Sequence, residues 1–115
     1  MAFSELELKR VEKLVGAYVE RVRPAPSLRS KLDIAFRIAG QSVEIVELRP
    51  RWREPHEIGQ SPVAKATFVR SRAVWKVFWI RADLKWHAYP PRPQVRTIEQ
   101  FLSLVEEDQA HCFWG

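Results

Sequence analysis

The stretch VWKVFWIRADLKWHAY interleaves aromatic rings with cations, and Lys76, Phe78, Lys85, His87 and Tyr89 all fall within it. A base stacks on a flat ring, and a cation holds the phosphate beside it. This mixture therefore suits single-stranded nucleic acid. Lys65, in the preceding PVAKATFV, joins the group if the two stretches pair side by side. A second basic group, Arg49, Arg51 and Arg53 around Trp52, sits in ELRPRWR. Arginine forks grip phosphate with two parallel hydrogen bonds and stack on rings. The plainer expectation for these three is a basic strand end whose arginines pair with Glu47, Glu54 or Glu57.

Other chemistry finds less support. Asp33 with Glu47-Leu48-Arg49 is loosely similar to the Asp…Glu-x-Lys set of metal-dependent nucleases. That chemistry needs both carboxylates on one metal. The expected strand register sets Asp33 against Leu48, which turns Glu47 to the opposite face, and arginine replaces lysine. His56, His87 and His111 are dispersed and give no metal-ligand spacing. Cys112 has no base in its local sequence to activate it. No catalytic residue, metal ligand or cofactor is assigned, and a metal-dependent, nuclease-like hydrolase stands only as a remote alternative.

The elements that must position the basic and aromatic residues are legible from periodicity. Ser4 with Glu7 has capping-box spacing. Leu8, Val11, Val15, Tyr18 and Val22 then follow at helical steps until Pro24 and Pro26 stop the helix. LDIAFRIAGQSVEIVELRPRW reads as a hairpin turning at Gly40-Gln41. That loop sets Ile38 opposite Val43, Phe36 opposite Ile45 and Arg37 opposite Glu44. RPRWREPHEIGQSP reads as a loop or a broken edge. Three further antiparallel strands follow. A Ser71-Arg72 turn pairs Phe68 with Trp75, Ala66 with Val77 and Ala64 with Trp79. An Ala82-Asp83 turn pairs Trp79 with Trp86 and Val77 with Ala88. PPRPQVR reads as an extended linker. Thr97 and Gln100 cap a second helix with Ile98, Phe101, Leu102 and Val105 on its apolar side.

These registers divide the three strands into two faces. Ala64, Ala66, Phe68, Trp75, Val77, Trp79, Trp86 and Ala88 form an uncharged face. Its large rings each bury roughly 150–250 Å² when covered, so it is expected under both helices. The other face carries Lys65, Thr67, Val69, Val74, Lys76, Phe78, Ile80, Lys85, His87 and Tyr89, with Phe78 facing His87 and Lys76 facing Tyr89. It reads as a solvated sheet face, a dimer interface or a nucleic-acid surface.

Composition sets the frame. A chain of 115 residues with 46% apolar side chains and four glycines is expected to be one domain, spanning 1–115, with a core of its own. One cysteine excludes an internal disulfide and suits a reducing compartment. MAFSELELKR is charged from its fifth residue, unlike a secretory signal, and no apolar run nears the roughly 18–20 residues a bilayer requires. A cytoplasmic protein with no membrane partner is the expectation. The net charge of +5 is uneven: residues 61–96 hold eight basic side chains and one acidic one, whereas residues 97–115 hold four acids and no lysine or arginine. A basic centre permits phosphate binding, though lysines also serve to keep sheet edges soluble. The terminal CFWG is expected to dock on the protein's own body, with a peptide handle for a partner as the alternative.

The blocks GQSVEIVELRPRW, PVAKATFV, VWKVFWIRADLKWHAYPP and the terminal CFWG resemble a small bacterial family known as domain of unknown function number 3024. The resemblance spans nearly the whole chain. It implies a bacterial, cytosolic, stand-alone domain, and it brings no activity, cofactor or catalytic residue with it. The resulting expectation is an α+β fold: an N-terminal helix, a five-stranded, mostly antiparallel meander, and a C-terminal helix, with both helices on one sheet face. The function expected of it is a non-enzymatic binding module for single-stranded nucleic acid, using Lys65, Lys76, Phe78, Lys85, His87 and Tyr89, with Arg49, Arg51 and Arg53 at the edge. The alternative is a homodimeric or adaptor domain that buries the same face against protein.

Overall fold

The computed structural model describes residues 3–110 and 112–114. Helix α1 (Glu5–Val22) begins at a complete capping box: the Ser4 hydroxyl accepts from the Glu7 backbone N–H, and the Glu7 carboxylate accepts from that of Ser4. Val11, Val15, Tyr18 and Val19 are its buried stripe. Helix α2 (Ile98–Glu107) is capped in the same way by Thr97 and Gln100, and buries Ile98, Phe101, Leu102 and Val105. Both caps and both apolar faces follow the sequence reading. Among the described residues, no helix is long and apolar enough to cross a membrane.

Strands β1 (Asp33–Ala39) and β2 (Ser42–Pro50) turn at Gly40-Gln41, with Gly40 at φ 59°, a left-handed value that glycine adopts without strain. The pairing of Ile38 with Val43, Arg37 with Glu44 and Phe36 with Ile45 is the register that apolar alternation dictates. Strand β3 (Ile58–Val69) starts earlier than expected, because the second half of the proline-rich stretch joins the sheet, with Pro50 opposite Ile58. The ladder shifts between Ile45, which faces Ala64, and Val46, which faces Pro62. Val63 is the extra residue of this bulge. Pro62 has no N–H for a regular ladder, and the bulge lets Val63 and Ala64 both become buried.

A short 3₁₀ turn at Arg70–Arg72 leads into β4 (Val74–Ile80), in the expected register. The next hairpin corrects the sequence reading. Strand β5 (Trp86–Ala88) sets His87, not Trp86, opposite Trp79, with Ile80 opposite Trp86 and Phe78 opposite Ala88. The loop is Ala82-Asp83-Leu84 rather than a two-residue turn. It is closed by the Arg81 N–H bonding to the Lys85 carbonyl at 3.2 Å and the Leu84 N–H bonding to the Arg81 carbonyl at 2.8 Å. Leu84 completes the turn at φ 62°. This is the three-residue hairpin that glycine normally signals, and leucine hides it. A slip of one residue carries every side chain of β5 to the other face.

The expected linker contains a sixth strand, β6 (Gln94–Val95), which pairs with β4 at Lys76 and Trp75 on the same edge as β5. The antiparallel sheet runs β1-β2-β3-β4-β5, with β6 beside β4. A single core joins Val15 and Tyr18 of α1, Phe101 and Val105 of α2, and Ile45, Ala66, Trp75 and Val77 of the sheet, so both helices cover one sheet face. The C-terminal segment docks on this body. The carboxylate of Asp108, itself only 7% exposed, accepts the backbone N–H of Phe113 at 3.0 Å and of Trp114 at 2.9 Å. The Trp114 indole N–H donates to the Val105 carbonyl. His111 and Gly115 lie outside the described residues.

Candidate nucleic-acid interface

The sheet face turned away from the helices carries Lys65 and Thr67 of β3, Lys76, Phe78 and Ile80 of β4, Trp86 of β5 and Gln94 of β6, all placed by the strand pairings. The Lys65 ammonium lies 4.9 Å from the centre of the Phe78 ring and 5.1 Å from that of Trp86. Each such contact is worth about 0.5–1 kcal/mol at an exposed site. Together they hold a cation over two neighbouring rings. Glu44 sits opposite Lys65 on β2, but its carboxylate is gripped by both arms of the Arg37 guanidinium, at 3.1 and 3.2 Å. Lys76 is exposed between Thr67 on one side and Gln94 on the other, and has no ion-pair partner among the described residues. Lys85 is exposed at the end of the hairpin loop.

Three expected members leave this face: Lys85, which closes the loop opposite Arg81 while Ile80 faces Trp86, and then Tyr89 and His87. Tyr89 is 1% exposed and packs on Phe113, with ring centres 4.8 Å apart. Burial pushes its hydroxyl above the usual range, so it stays protonated. His87 turns to the helix side opposite Trp79, and its Nε2 bonds the Asp83 carboxylate at 2.8 Å. That carboxyl is held below the usual range first by the Lys85 backbone N–H and then by His87. Lys76 therefore faces Gln94 rather than Tyr89, and Phe78 faces Ala88 rather than His87. Trp86 takes the vacated place, a substitution that the longer hairpin loop produces and that alternation alone could not reveal.

Two of the three edge arginines take the plainer arrangement. Arg49 pairs with Glu47 at 3.1 Å and Arg51 with Glu57 at 3.5 Å, while the Arg53 guanidinium lies 5.6 Å from the Trp52 ring. Trp52 itself is 88% exposed. Beside it, the ligand atoms of Glu54, His56 and Glu57 lie within 4.8 Å of one another, a grouping that a search for helical or paired-ligand spacing passes over. All three are exposed, and Glu57 is already engaged by Arg51. The nuclease-like pair does not converge. Asp33 is held by the Arg23 fork at 2.9 and 2.8 Å, which keeps its carboxyl below the usual range. It stands opposite Leu48 while Glu47 stands opposite Ile34, so the two carboxylates point to different faces.

The chain matches the model of one protein family over residues 3–115, a family described as a domain of unknown function (DUF3024). No curated protein and no solved structure shows significant similarity to it.

Proposed function

We propose, for a chain that belongs to the DUF3024 family of domains of unknown function, that it binds single-stranded nucleic acid on its helix-free sheet face. The observation that carries this reading is the cluster of Lys65, Phe78 and Trp86, a cation set over two rings on the face opposite the one that α1 and α2 pack against. The large rings of the opposite face are spent on the core, so on the sheet these two are placed for a base to meet. Lys76 next to them adds a charge that no carboxylate among the described residues neutralises. Stacking on such rings contributes about 1–3 kcal/mol per base and tolerates any sequence. The interaction is therefore expected to be weakly sequence-dependent and strongly salt-dependent.

The test is fluorescence anisotropy of labelled oligouridine and oligothymidine, titrated at low and at physiological salt. Binding that weakens steeply with salt, and falls further in Lys65→Glu with Lys76→Glu, supports the reading. No binding at low salt overturns it. If the face instead closes against a second copy of the chain, sedimentation shows a mass that rises with protein concentration and is little affected by salt.

A further inference from the structure

Arg72, Arg92 and Arg96 line one open groove of about 740 Å³, together with Gln94 and Gln100. Among the described residues no carboxylate lines it, and none of the three guanidiniums has an ion-pair partner. Elsewhere in this protein arginine is usually neutralised: Arg10, Arg21, Arg23, Arg37, Arg49 and Arg51 each sit against a glutamate or aspartate. Three arginines without an ion-pair partner around one groove that no described carboxylate lines form a local excess of positive charge, and guanidinium forks are suited to phosphate recognition. The start of α2 adds little to it. The Arg96 and Thr97 backbone N–H groups are already taken by the Gln100 side-chain carbonyl, at 2.8 and 3.3 Å.

We propose that this groove binds phosphate groups, and that in the nucleic-acid complex it carries the backbone of the same strand whose bases stack on the sheet. The second half of the statement rests on the proposed function. The two surfaces are continuous. Val74 and Gln94 line the groove, Gln94 pairs with Lys76, and Lys76 leads along β4 to Phe78 and Lys65. A strand leaving the rings therefore crosses Lys76 and enters a channel of guanidiniums. A free polyphosphate is the other source of the same chemistry.

The experiment compares the wild-type protein with Arg72→Gln/Arg92→Gln/Arg96→Gln, using labelled oligouridine over a range of salt and, separately, inorganic tripolyphosphate by calorimetry. The three arginines are exposed, so the triple variant is expected to keep the wild-type circular dichroism spectrum and melting curve. Lys9→Gln/Lys13→Gln on the exposed side of α1 serves as the charge control. Each lost phosphate contact to a single strand lowers the slope of log K against log salt by about 0.7, so the triple variant should lose about 2, with at least about a tenfold loss of affinity at physiological salt. That result, with the α1 control near wild type, supports the proposal. Oligouridine binding with an unchanged slope in the triple variant, or an equal loss in the control, overturns the groove and leaves the sheet face standing. Tripolyphosphate binding that the triple variant abolishes, without oligouridine binding, supports a phosphate groove and overturns the sheet-face reading. Binding of neither ligand overturns both.

Discussion

Leu84 decides which side of the sheet Trp86 occupies, and its substitution gives opposite signs for the two registers. In the structure Leu84 sits at φ 62° and is 82% exposed, as the last residue of a three-residue loop. The left-handed region costs an L-residue about 1–2 kcal/mol and a β-branched residue more, whereas glycine adopts it freely. Glycine gives back part of that gain through its greater freedom in the unfolded chain, roughly 0.5–1 kcal/mol. A side chain this exposed has only a few tenths of a kcal/mol of burial to lose. Leu84→Gly should then be neutral to about 1 kcal/mol stabilising, and Leu84→Val about 1 kcal/mol destabilising. The glycine variant should melt about 4–8 °C above the valine variant. In the two-residue Ala82-Asp83 hairpin, Leu84 would be a strand residue, and valine would exceed glycine by up to about 1 kcal/mol. Urea denaturation with thermal melts measures the difference. A valine variant more stable than the glycine variant refutes the three-residue loop and, with it, the placement of Trp86 beside Phe78.

Three further outcomes follow from the packing and the charges. Asp108→Ala removes the acceptor of two backbone N–H bonds from a nearly buried site, and should cost about 2–4 kcal/mol in urea denaturation; a loss under about 1 kcal/mol would contradict the docked segment. Burial pushes the Cys112 thiol above its usual range, so a disulfide reagent should label it slowly at mildly alkaline pH, and Asp108→Ala should speed that labelling by releasing the segment. Equal rates in the two proteins would show that Asp108 does not hold it. Glu7 is held down to about 2, first by the hydrogen bond from Arg70 and then by its capping bond to the Ser4 N–H. Because its folded value is depressed, its contribution to stability is complete above about pH 4.5 and is lost as pH falls toward about 2. Arg70→Gln should flatten the pH dependence of unfolding in that window, and an unchanged curve would contradict the pairing.

What was legible in the sequence depended on how many residues specified each feature. The α1 and α2 boundaries each rest on a capping box and a helical stripe that agree. The β1–β2 register rests on alternation over seven paired positions, and the wrong register would bury Glu44. The β4–β5 register rests on three paired positions only, and the residue that fixes the loop is Leu84, whose left-handed backbone no side-chain pattern announces. That one slip moved Tyr89 into the core and His87 to the helix side, and brought Trp86 onto the open face. The strand β6 is two residues long, too short to carry a period, and Pro91 and Pro93 disguise it. The early start of β3 was hidden because a bulge at Val63 interrupts the alternation through which a strand is read. Lys65, Lys76 and Phe78 kept their places because β3 and β4 pair over six positions. The Arg72, Arg92 and Arg96 groove was not legible at all, since a turn, a linker and a helix start supply one residue each.

The most direct test of the sheet-face account is a ¹H–¹⁵N spectrum of the protein titrated with oligouridine at low salt. The Trp86 indole resonance and the Lys65, Lys76 and Phe78 amides should shift progressively, while the Trp75 and Trp114 indoles, packed into the core and against Val105, stay in place. Shifts confined to the helices, or no shift at saturating oligonucleotide, would contradict it.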